Sequence, residues 1–114
     1  MSALGSGVID PGLMTARLDL ETFLETPDGQ GGVIRSTVVL ATLWARIEPL
    51  AVFIGERQDE RLSEASHRID LRWRGDLKAG MRLRKGPRLF EILAAIDPDE
   101  SRRIISCRCR ELLL

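Results

Sequence analysis

The stretch HRIDLRWRGD, residues 67–76, carries the clearest folding signal in the chain. Ile69, Leu71 and Trp73 share one face of an extended strand, because successive side chains of a strand point to opposite faces. The opposite face is charged and holds Arg68, Asp70, Arg72 and Arg74. Gly75-Asp76 then predicts a turn. The stretch therefore predicts a half-buried strand that directs Trp73 into a core.

Five other segments show strand patterns of this kind. They are residues 16–24, 33–48, 81–84, 89–96 and 103–112. The second has apolar residues on both faces through its middle, which predicts a central strand. Short turns join most of the segments, and such regular spacing is typical of a small antiparallel barrel or sandwich. Because closure removes free strand edges, we expect a mainly β fold, a small six-stranded antiparallel β-barrel.

The chain has 114 residues, which predicts a single domain over residues 1–114. Residues 49–64 break the strand period, and their loosely helical spacing is interrupted by Gly55. They predict one long loop, with a short helix as an open alternative. The expected parts are a Gly- and Ser-rich flexible N-terminal arm (1–14), a first hairpin (15–48), the long loop (49–64) and the remaining strands (65–114).

The charges balance overall but not along the chain. Seventeen Lys and Arg face seventeen Asp and Glu, yet residues 1–64 carry a net −5 and residues 65–114 a net +5. Such halves predict a subunit with unlike surfaces, or one that stacks against copies of itself. No apolar run approaches the roughly 20 residues of a spanning helix, and no secretory signal is visible. We therefore expect a soluble protein made in the cytoplasm, without membrane contact.

Catalytic chemistry has little support in the sequence. The single histidine, His67, shares a face with Ile69 and Leu71, which predicts a partly buried imidazole. Cys107 and Cys109 lack a second pair or a nearby histidine, so they predict buried thiols and no zinc site. Phosphate-binding loops and nucleophile motifs are absent. We expect neither an enzyme nor a metal or cofactor.

The stretch 68–88 is strongly basic, with a net charge of +6. If neighbouring strands present it on one outer face, that face would contact phosphates. A solvated face, or one that meets the acidic half of a neighbouring subunit, is the alternative. Aromatic residues for stacking on bases are scarce. The candidate residues for contact with DNA or with a neighbouring subunit are Arg68, Arg72, Arg74, Arg82 and Arg84.

Several segments together resemble a known family over about residues 18–111. They are DGQGG (28–32), LWARIEPL (43–50), ASHRIDLRWR (65–74), GMRLRKGPRLFEILAAIDPDE (80–100) and CRE (109–111). In order and spacing they resemble the tailed-phage head–tail joining family, the head-closure or stopper proteins. That family includes the counterpart in gene transfer agents.

The resemblance implies a small β-barrel without catalytic residues, which assembles as a homo-oligomeric ring of six or twelve copies. Such a ring lies at the neck of the particle, below the portal-adaptor ring and above the tail terminator or tail tube. It extends the channel and helps to retain packaged double-stranded DNA. Open alternatives are an adaptor or tail-terminator ring, and a free β-barrel that binds nucleic acid. Infectious phage and gene transfer agent both remain open as the source particle.

Within this interpretation the long loop is a candidate contact with a neck partner or with the channel. The loop lacks the alternating pattern of a strand, and it contains a cluster of charged residues. The candidate residues are Leu50, Phe53, Ile54, Glu56, Arg57, Asp59, Glu60 and Arg61.

Overall fold

The computed structural model describes residues 11–50 and 64–113, and their regular structure is almost entirely β-strand. A 3-10 turn at Pro11–Leu13 precedes the first strand. The strands are β1 (Ala16–Pro27), β2 (Val33–Pro49), β3 (His67–Arg72), β4 (Arg82–Lys85), β5 (Arg88–Ile96) and β6 (Ile104–Leu112). The mainly β prediction is confirmed, with strand ends displaced by a few residues.

The strands form a closed antiparallel barrel in the order β1-β2-β3-β6-β5-β4, and β4 pairs back onto β1. The predicted barrel is thus confirmed. Leu20 lies opposite Ala41 of β2 on one side and Leu83 of β4 on the other. Two strands separate β3 from β4 in either direction around the barrel. These two strands, which carry most of the predicted basic residues, therefore stand on opposite sides of the molecule.

The barrel interior is filled by side chains from all six strands, as expected for a barrel this small. Phe90 is the largest side chain that is fully buried. The buried cluster comprises Leu18, Leu20, Ala45, Ile69, Leu71, Met81, Leu83, Phe90, Ile92, Ile105, Cys107 and Cys109. Strand registers shift at Leu20/Glu21 and at Ile92/Ala94, where bulges allow the strands to bend around this core.

Cys107 and Cys109 confirm the prediction of buried free thiols. Both lie on β6, belong to the core cluster and are fully buried. Burial raises the pKa of Cys107 to about 12, and it also raises the pKa of Cys109. Because the thiolate is the reactive form, both side chains act as small apolar groups in the folded protein.

The prediction that Trp73 faces the core is wrong. β3 ends at Arg72, and the Trp73 side chain is 37% exposed. Its ring lies against Gly75, where an added Cβ would stand 3.1 Å from the ring, and the Arg102 guanidinium lies 5.5 Å from the ring centroid. The alternation of apolar and charged residues continues to Trp73, but the barrel wall ends one residue earlier. A side chain at position 73 therefore lies beyond the barrel core, although it follows the apolar pattern of β3.

The prediction that β2 is a central strand buried on both faces is also wrong. β2 pairs with β3 only from Ala45 to Pro49, and residues 33–44 have a neighbour on one side alone, β1. Val39 and Leu40, in the middle of β2, are 53% and 42% exposed. The two-faced apolar pattern belongs to a hairpin that continues past the barrel.

Most of the predicted N-terminal arm and long loop, residues 1–10 and 51–63, lies outside the described residues. At the end of the arm, Met14 is buried and the Thr15 amide donates to the Leu13 carbonyl at 3.1 Å. At the start of the loop, the Leu50 amide donates to the Ser66 carbonyl at 2.9 Å. No helix within residues 11–50 and 64–113 is long and apolar enough to cross a membrane.

Candidate assembly surfaces

The β1–β2 hairpin is longer than the barrel that carries it. β1 pairs with β4 only at residues 19–21, and beyond that point β1 and β2 pair only with each other. The six residues Thr22–Pro27 therefore extend about 20 Å past the last pair with β4, at roughly 3.4 Å per residue. We call Thr22–Leu40 the projecting hairpin. The described chain accordingly measures 59 × 34 × 27 Å.

The projecting hairpin exposes apolar side chains. Among the described residues, ten large apolar side chains are exposed, and half of them lie on this hairpin: Leu24, Val33, Ile34, Val39 and Leu40. A sixth, Trp44, follows directly on β2 and is 57% exposed. Apolar side chains gathered on one element of a small protein usually mark a contact surface. This hairpin is therefore the surface of the described chain best suited to be covered by another protein.

Two backbone edges of the hairpin are free. On β1 the free edge is Thr22–Pro27, and on β2 it is Val33–Trp44. Such edges present unpaired amide and carbonyl groups and are templates for a strand from another chain. Elsewhere in the described barrel only short stretches at strand ends, such as Ala16–Leu18 and Ala94–Ile96, have a neighbour on one side alone.

The base of the projecting hairpin is fixed to the barrel by stacking and by an ion pair. Phe23 lies between two guanidinium groups, with Arg35 at 4.0 Å and Arg82 at 4.8 Å from its ring centroid. Next to it, Arg84 Nε donates to Glu21 Oε2 at 2.8 Å. Because Arg82 and Arg84 belong to β4, these contacts hold the hairpin in a defined direction relative to the barrel.

The tip of the hairpin is an ordered turn. One carboxylate oxygen of Asp28, Oδ1, accepts the amides of Gln30 at 2.7 Å and Gly32 at 3.0 Å. Gly29 and Gly31 have φ angles of 84° and 86°, in the left-handed region that glycine tolerates best. Residues 28–32 thus form the connection between β1 and β2.

The five candidate arginines do not form one continuous face. Arg82 and Arg84 lie on β4, whereas Arg68 and Arg72 lie on β3, on the opposite side of the barrel. Arg74 follows β3 and forms a two-pronged hydrogen bond with Asp76, at 3.0 and 2.9 Å. The premise that neighbouring strands present these residues together is therefore wrong, because two other strands separate β3 from β4 in each direction around the barrel.

Most of these arginines already have partners within the subunit. Arg68 contacts Glu48 at 2.8 Å and Asp70 at 3.2 Å, and Arg84 contacts Glu21. The Arg72 side chain differs, because it is exposed and takes part in none of the side-chain hydrogen bonds, ion pairs or ring contacts among the described residues, whereas Arg82 lies over the Phe23 ring. Among the five candidates, Arg72 therefore offers the one fully unengaged guanidinium to a phosphate or to a neighbouring subunit.

The two oppositely charged halves of the sequence meet inside one subunit. Three ion pairs join residues 1–64 to residues 65–114 through close contacts: Glu21–Arg84, Glu48–Arg68 and Glu64–Arg110. Asp70 lies on the outer wall but is only 1% exposed, because Arg68 and Arg46 cover it. Much of the charge asymmetry is thus neutralised by folding, before any contact between subunits.

A polar cluster closes the end of the barrel opposite the projecting hairpin. The His67 and Phe90 rings pack edge to face with their centroids 5.1 Å apart, and His67 Nδ1 lies 2.8 Å from Ser66 Oγ. Arg88 Nε donates to Glu111 Oε2 at 2.9 Å. Burial lowers the pKa of His67, with Glu111 opposing and Arg88 adding to this effect, so the neutral imidazole is favoured. The prediction of a partly buried histidine is confirmed.

A recess of about 450 Å³ opens beside this cluster, lined among others by Leu13, Ile47 and Lys85. Arg88, which also lines it, is neutralised by Glu111. Within the described part of the chain, no three His, Cys, Asp or Glu side chains are grouped to hold a metal ion. The recess is therefore lined by both apolar and basic groups, without a described set of metal ligands.

The candidate loop can be placed only at its start. Leu50 is half-buried beside Ser66, whereas Phe53, Ile54, Glu56, Arg57, Asp59, Glu60 and Arg61 lie outside the described residues.

The sequence analysis did not select the apolar residues of the projecting hairpin as candidates. The lengths of the strands are the signal that would have identified these residues as a candidate surface. β1 and β2 have 12 and 17 residues, whereas β4 has four, so the first two strands cannot end where the barrel wall ends.

Comparison with known proteins agrees with this architecture. A family model described as phage head completion protein matches residues 9–112. The solution structure of protein SF1141 from Shigella flexneri 2a is 26% identical, with a TM-score of 0.70, and the match covers 90% of this chain and 96% of that chain. No curated protein matches the sequence.

A second solved structure, from the virion of a native gene transfer agent particle, is also 26% identical. Its TM-score is 0.62, and the match covers 88% of this chain and 96% of that chain. The family match and this virion match support a structural role in the head–tail region of a phage or phage-like particle. The chain belongs to the phage head completion protein family.

Proposed function

We propose that this chain is a ring-forming stopper, or head-closure protein, that joins the portal-adaptor complex to the tail and helps to retain packaged DNA. The observation that carries the proposal is the projecting hairpin, with its exposed apolar side chains and two free edges. A barrel that leaves such a surface uncovered is suited to work between neighbours in an assembly.

DNA retention in this proposal is a property of the ring. Arg68, Arg74 and Arg84 are engaged within the subunit, so three of the five candidate arginines are not free to contact phosphates. This favours the ring over a free barrel that binds nucleic acid, which would require a continuous basic face. Arg72 is the candidate that remains for contact with DNA or with a neighbouring copy.

The proposed partners follow from the position in the particle. The ring lies between the portal-adaptor ring and the tail terminator or tail tube, after synthesis of the subunit in the bacterial cytoplasm. Residues 49–64 are proposed to contact the channel or an adjacent ring. The role is structural, without catalysis.

Deleting the gene in the producing bacterium tests the proposal. We expect heads without tails, and heads that lose DNA after packaging, with normal particles restored by the wild-type gene. Electron microscopy counts the tails, and nuclease-protected DNA measures retention. Tailed, DNA-filled particles from the deletion strain would sink the proposal. Cryo-electron microscopy of the restored necks should place a ring of this barrel between portal-adaptor complex and tail.

Two smaller changes test the candidate surfaces. Charge reversal at Arg72 should lower particle completion while the monomer stays folded, and the same change at Lys78, which is also exposed, is the control. Removing residues 51–63 should impair DNA retention or tail attachment. If both remain normal in that deletion, the loop has no role in the neck.

A further inference from the structure

We propose that the free β2 edge of one copy, Val33–Trp44, pairs with the free β1 edge of the next copy, Thr22–Pro27. The projecting hairpins of neighbouring subunits would then join into one continuous antiparallel sheet around the ring. The inference rests on the proposed ring and adds the surface by which the ring closes.

The two edges are the longest free strand edges of the described chain, because the other stretches with a neighbour on one side only, Ala16–Leu18, Ala94–Ile96 and Arg110–Leu112, are much shorter. An uncovered edge on a long apolar strand attracts a strand from another chain and leads to aggregation if nothing occupies it. Both edges have little of the usual protection, since each carries one charged side chain, Glu25 or Arg35, no Lys lies on either segment, and the single proline, Pro27, stands at the very end of β1. The edges are therefore suited to being paired.

A second copy is the occupant that the strand directions favour. β1 and β2 run antiparallel within one hairpin. If neighbouring hairpins are related by rotation about a common axis, β2 of one copy meets β1 of the next, and this pair is again antiparallel. The contact joins two different edges, so it repeats head to tail and closes into a ring. Pairing of two β2 edges would instead stop at a dimer.

Charge along the edges favours a specific register. Within one hairpin Glu25 lies opposite Arg35, on the face that also holds Phe23. Rotation about a ring axis moves no residue along that axis. Two residues that lie at the same level along the axis within one hairpin therefore lie at nearly the same level when they belong to neighbouring copies. Glu25 of one copy therefore lies opposite Arg35 of the next, or two residues away if the strands tilt. Opposite charges at this position stabilise the pair.

The barrel wall of a neighbour is a poorer partner for the hairpin. Outside β1 and β2, the exposed large apolar side chains of the described residues are Leu13, Trp73, Ile96 and Leu113. These lie at the barrel ends or near the chain termini, and none belongs to the middle of a strand. The apolar hairpin is therefore matched best by another hairpin.

Single cysteines test the contact in assembled particles. A strain without the native gene would express two versions of the protein together, one with Glu25→Cys and one, bearing a short tag, with Arg35→Cys. After mild oxidation, we expect a disulfide-linked heterodimer on a non-reducing gel. Because each chain carries one exposed cysteine and Cys107 and Cys109 are buried, such a product must join two copies. Val33→Cys and Thr37→Cys in place of Arg35→Cys cover an offset of two residues.

Each outcome of this experiment decides for or against the inference. A heterodimer with any of the three β2 cysteines supports it. Homodimers of the β2 variants alone would show that two β2 edges meet, and tailed particles without any cross-link would show that the edges do not pair; both results overturn it. Neither result touches the proposed function, which fails only if the deletion strain produces tailed, DNA-filled particles.

Charged substitutions provide a second, independent test. Val39→Lys and Ile34→Lys place a charge on the free β2 edge and should cause a loss of tailed particles. Ile96→Lys, at an apolar residue exposed to 49% outside the hairpin, is the matched control and should leave assembly intact. Thermal unfolding of the purified variants verifies that the barrel is retained. Normal assembly of both hairpin variants would overturn the inference.

Discussion

Replacing Arg84 with alanine should destabilise the isolated subunit, although Arg84 looks like a surface residue in the sequence. Its partner Glu21 is only 5% exposed, and Glu21 Oε2 accepts from Arg84 Nε at 2.8 Å. The other oxygen, Oε1, is buried and has no hydrogen-bond partner among the described residues. Loss of Arg84 would therefore leave a buried carboxylate without a counter-charge, which typically costs about 3–5 kcal/mol.

The expected loss lies at the lower end of this range, about 3 kcal/mol, because water can reach the space that Arg84 vacates. The Arg84 side chain is 37% exposed, so part of its volume already borders solvent. Urea denaturation followed by circular dichroism measures the change. With an m value of about 2 kcal/mol per M, the midpoint should fall by about 1.5 M.

Two matched variants separate this ion pair from a general effect of losing positive charge. Arg72→Ala removes an exposed arginine without a partner among the described residues, so its effect should stay within about 0.5 kcal/mol. The double variant Glu21→Leu with Arg84→Met removes both charges and should recover most of the stability. If Arg84→Ala and Arg72→Ala have equal, small effects, the intrasubunit pair is not stabilising, and Arg84 returns as a candidate for contact with DNA.

Four further predictions concern the histidine, the hairpin base, the thiols and a strained turn. Between pH 7 and pH 5 the free energy of unfolding should fall more for wild type than for His67→Gln. Burial lowers the pKa of His67 from 6.5 in the folded protein, so the unfolded chain binds the proton first as the pH falls. Urea titrations at both pH values measure the difference. Phe23→Ala removes two cation–π contacts and should cost about 1–2 kcal/mol. Hydrogen exchange should then rise in the projecting hairpin and not in the barrel. Cys107 and Cys109 should react with a thiol reagent only at the rate of unfolding, and fast modification of the native protein would contradict their burial. Glu100→Gly should raise stability by about 0.5 kcal/mol in thermal unfolding, since φ at this position is 58° and glycine relieves the strain at some cost in entropy.

The barrel could be predicted from sequence because the pattern that determines each strand lies within a few consecutive residues. Alternation of apolar and charged residues fixes which side of each strand faces inward, as at Ile69 and Leu71 in β3. Short turns then leave few ways to arrange six such strands. The same local rule failed at Trp73, because alternation does not reveal where the barrel wall ends.

The assembly surfaces were harder to predict because they depend on contacts between distant residues. Glu21 and Arg84 are 63 positions apart, and only closure of β4 onto β1 brings them together. An apolar pattern on both faces of β2 is equally compatible with burial inside a sheet and with a strand whose neighbours belong to other molecules. A periodic apolar pattern indicates that a residue is buried, but it does not indicate whether the same chain or another chain buries it.

The balance of charges acquires a different meaning from this structure. Seventeen positive and seventeen negative side chains could have provided attraction between subunits, but folding pairs several of them within one copy, as in Glu48–Arg68 and Glu64–Arg110. Surface charge pairs are weak and are screened by salt, whereas strand pairing is directional and less sensitive to salt. A subunit that neutralises its own charge and leaves an apolar strand edge free is therefore suited to a contact that must stay closed under changing ionic conditions. The proposed ring would have to meet this requirement if it is to hold packaged DNA.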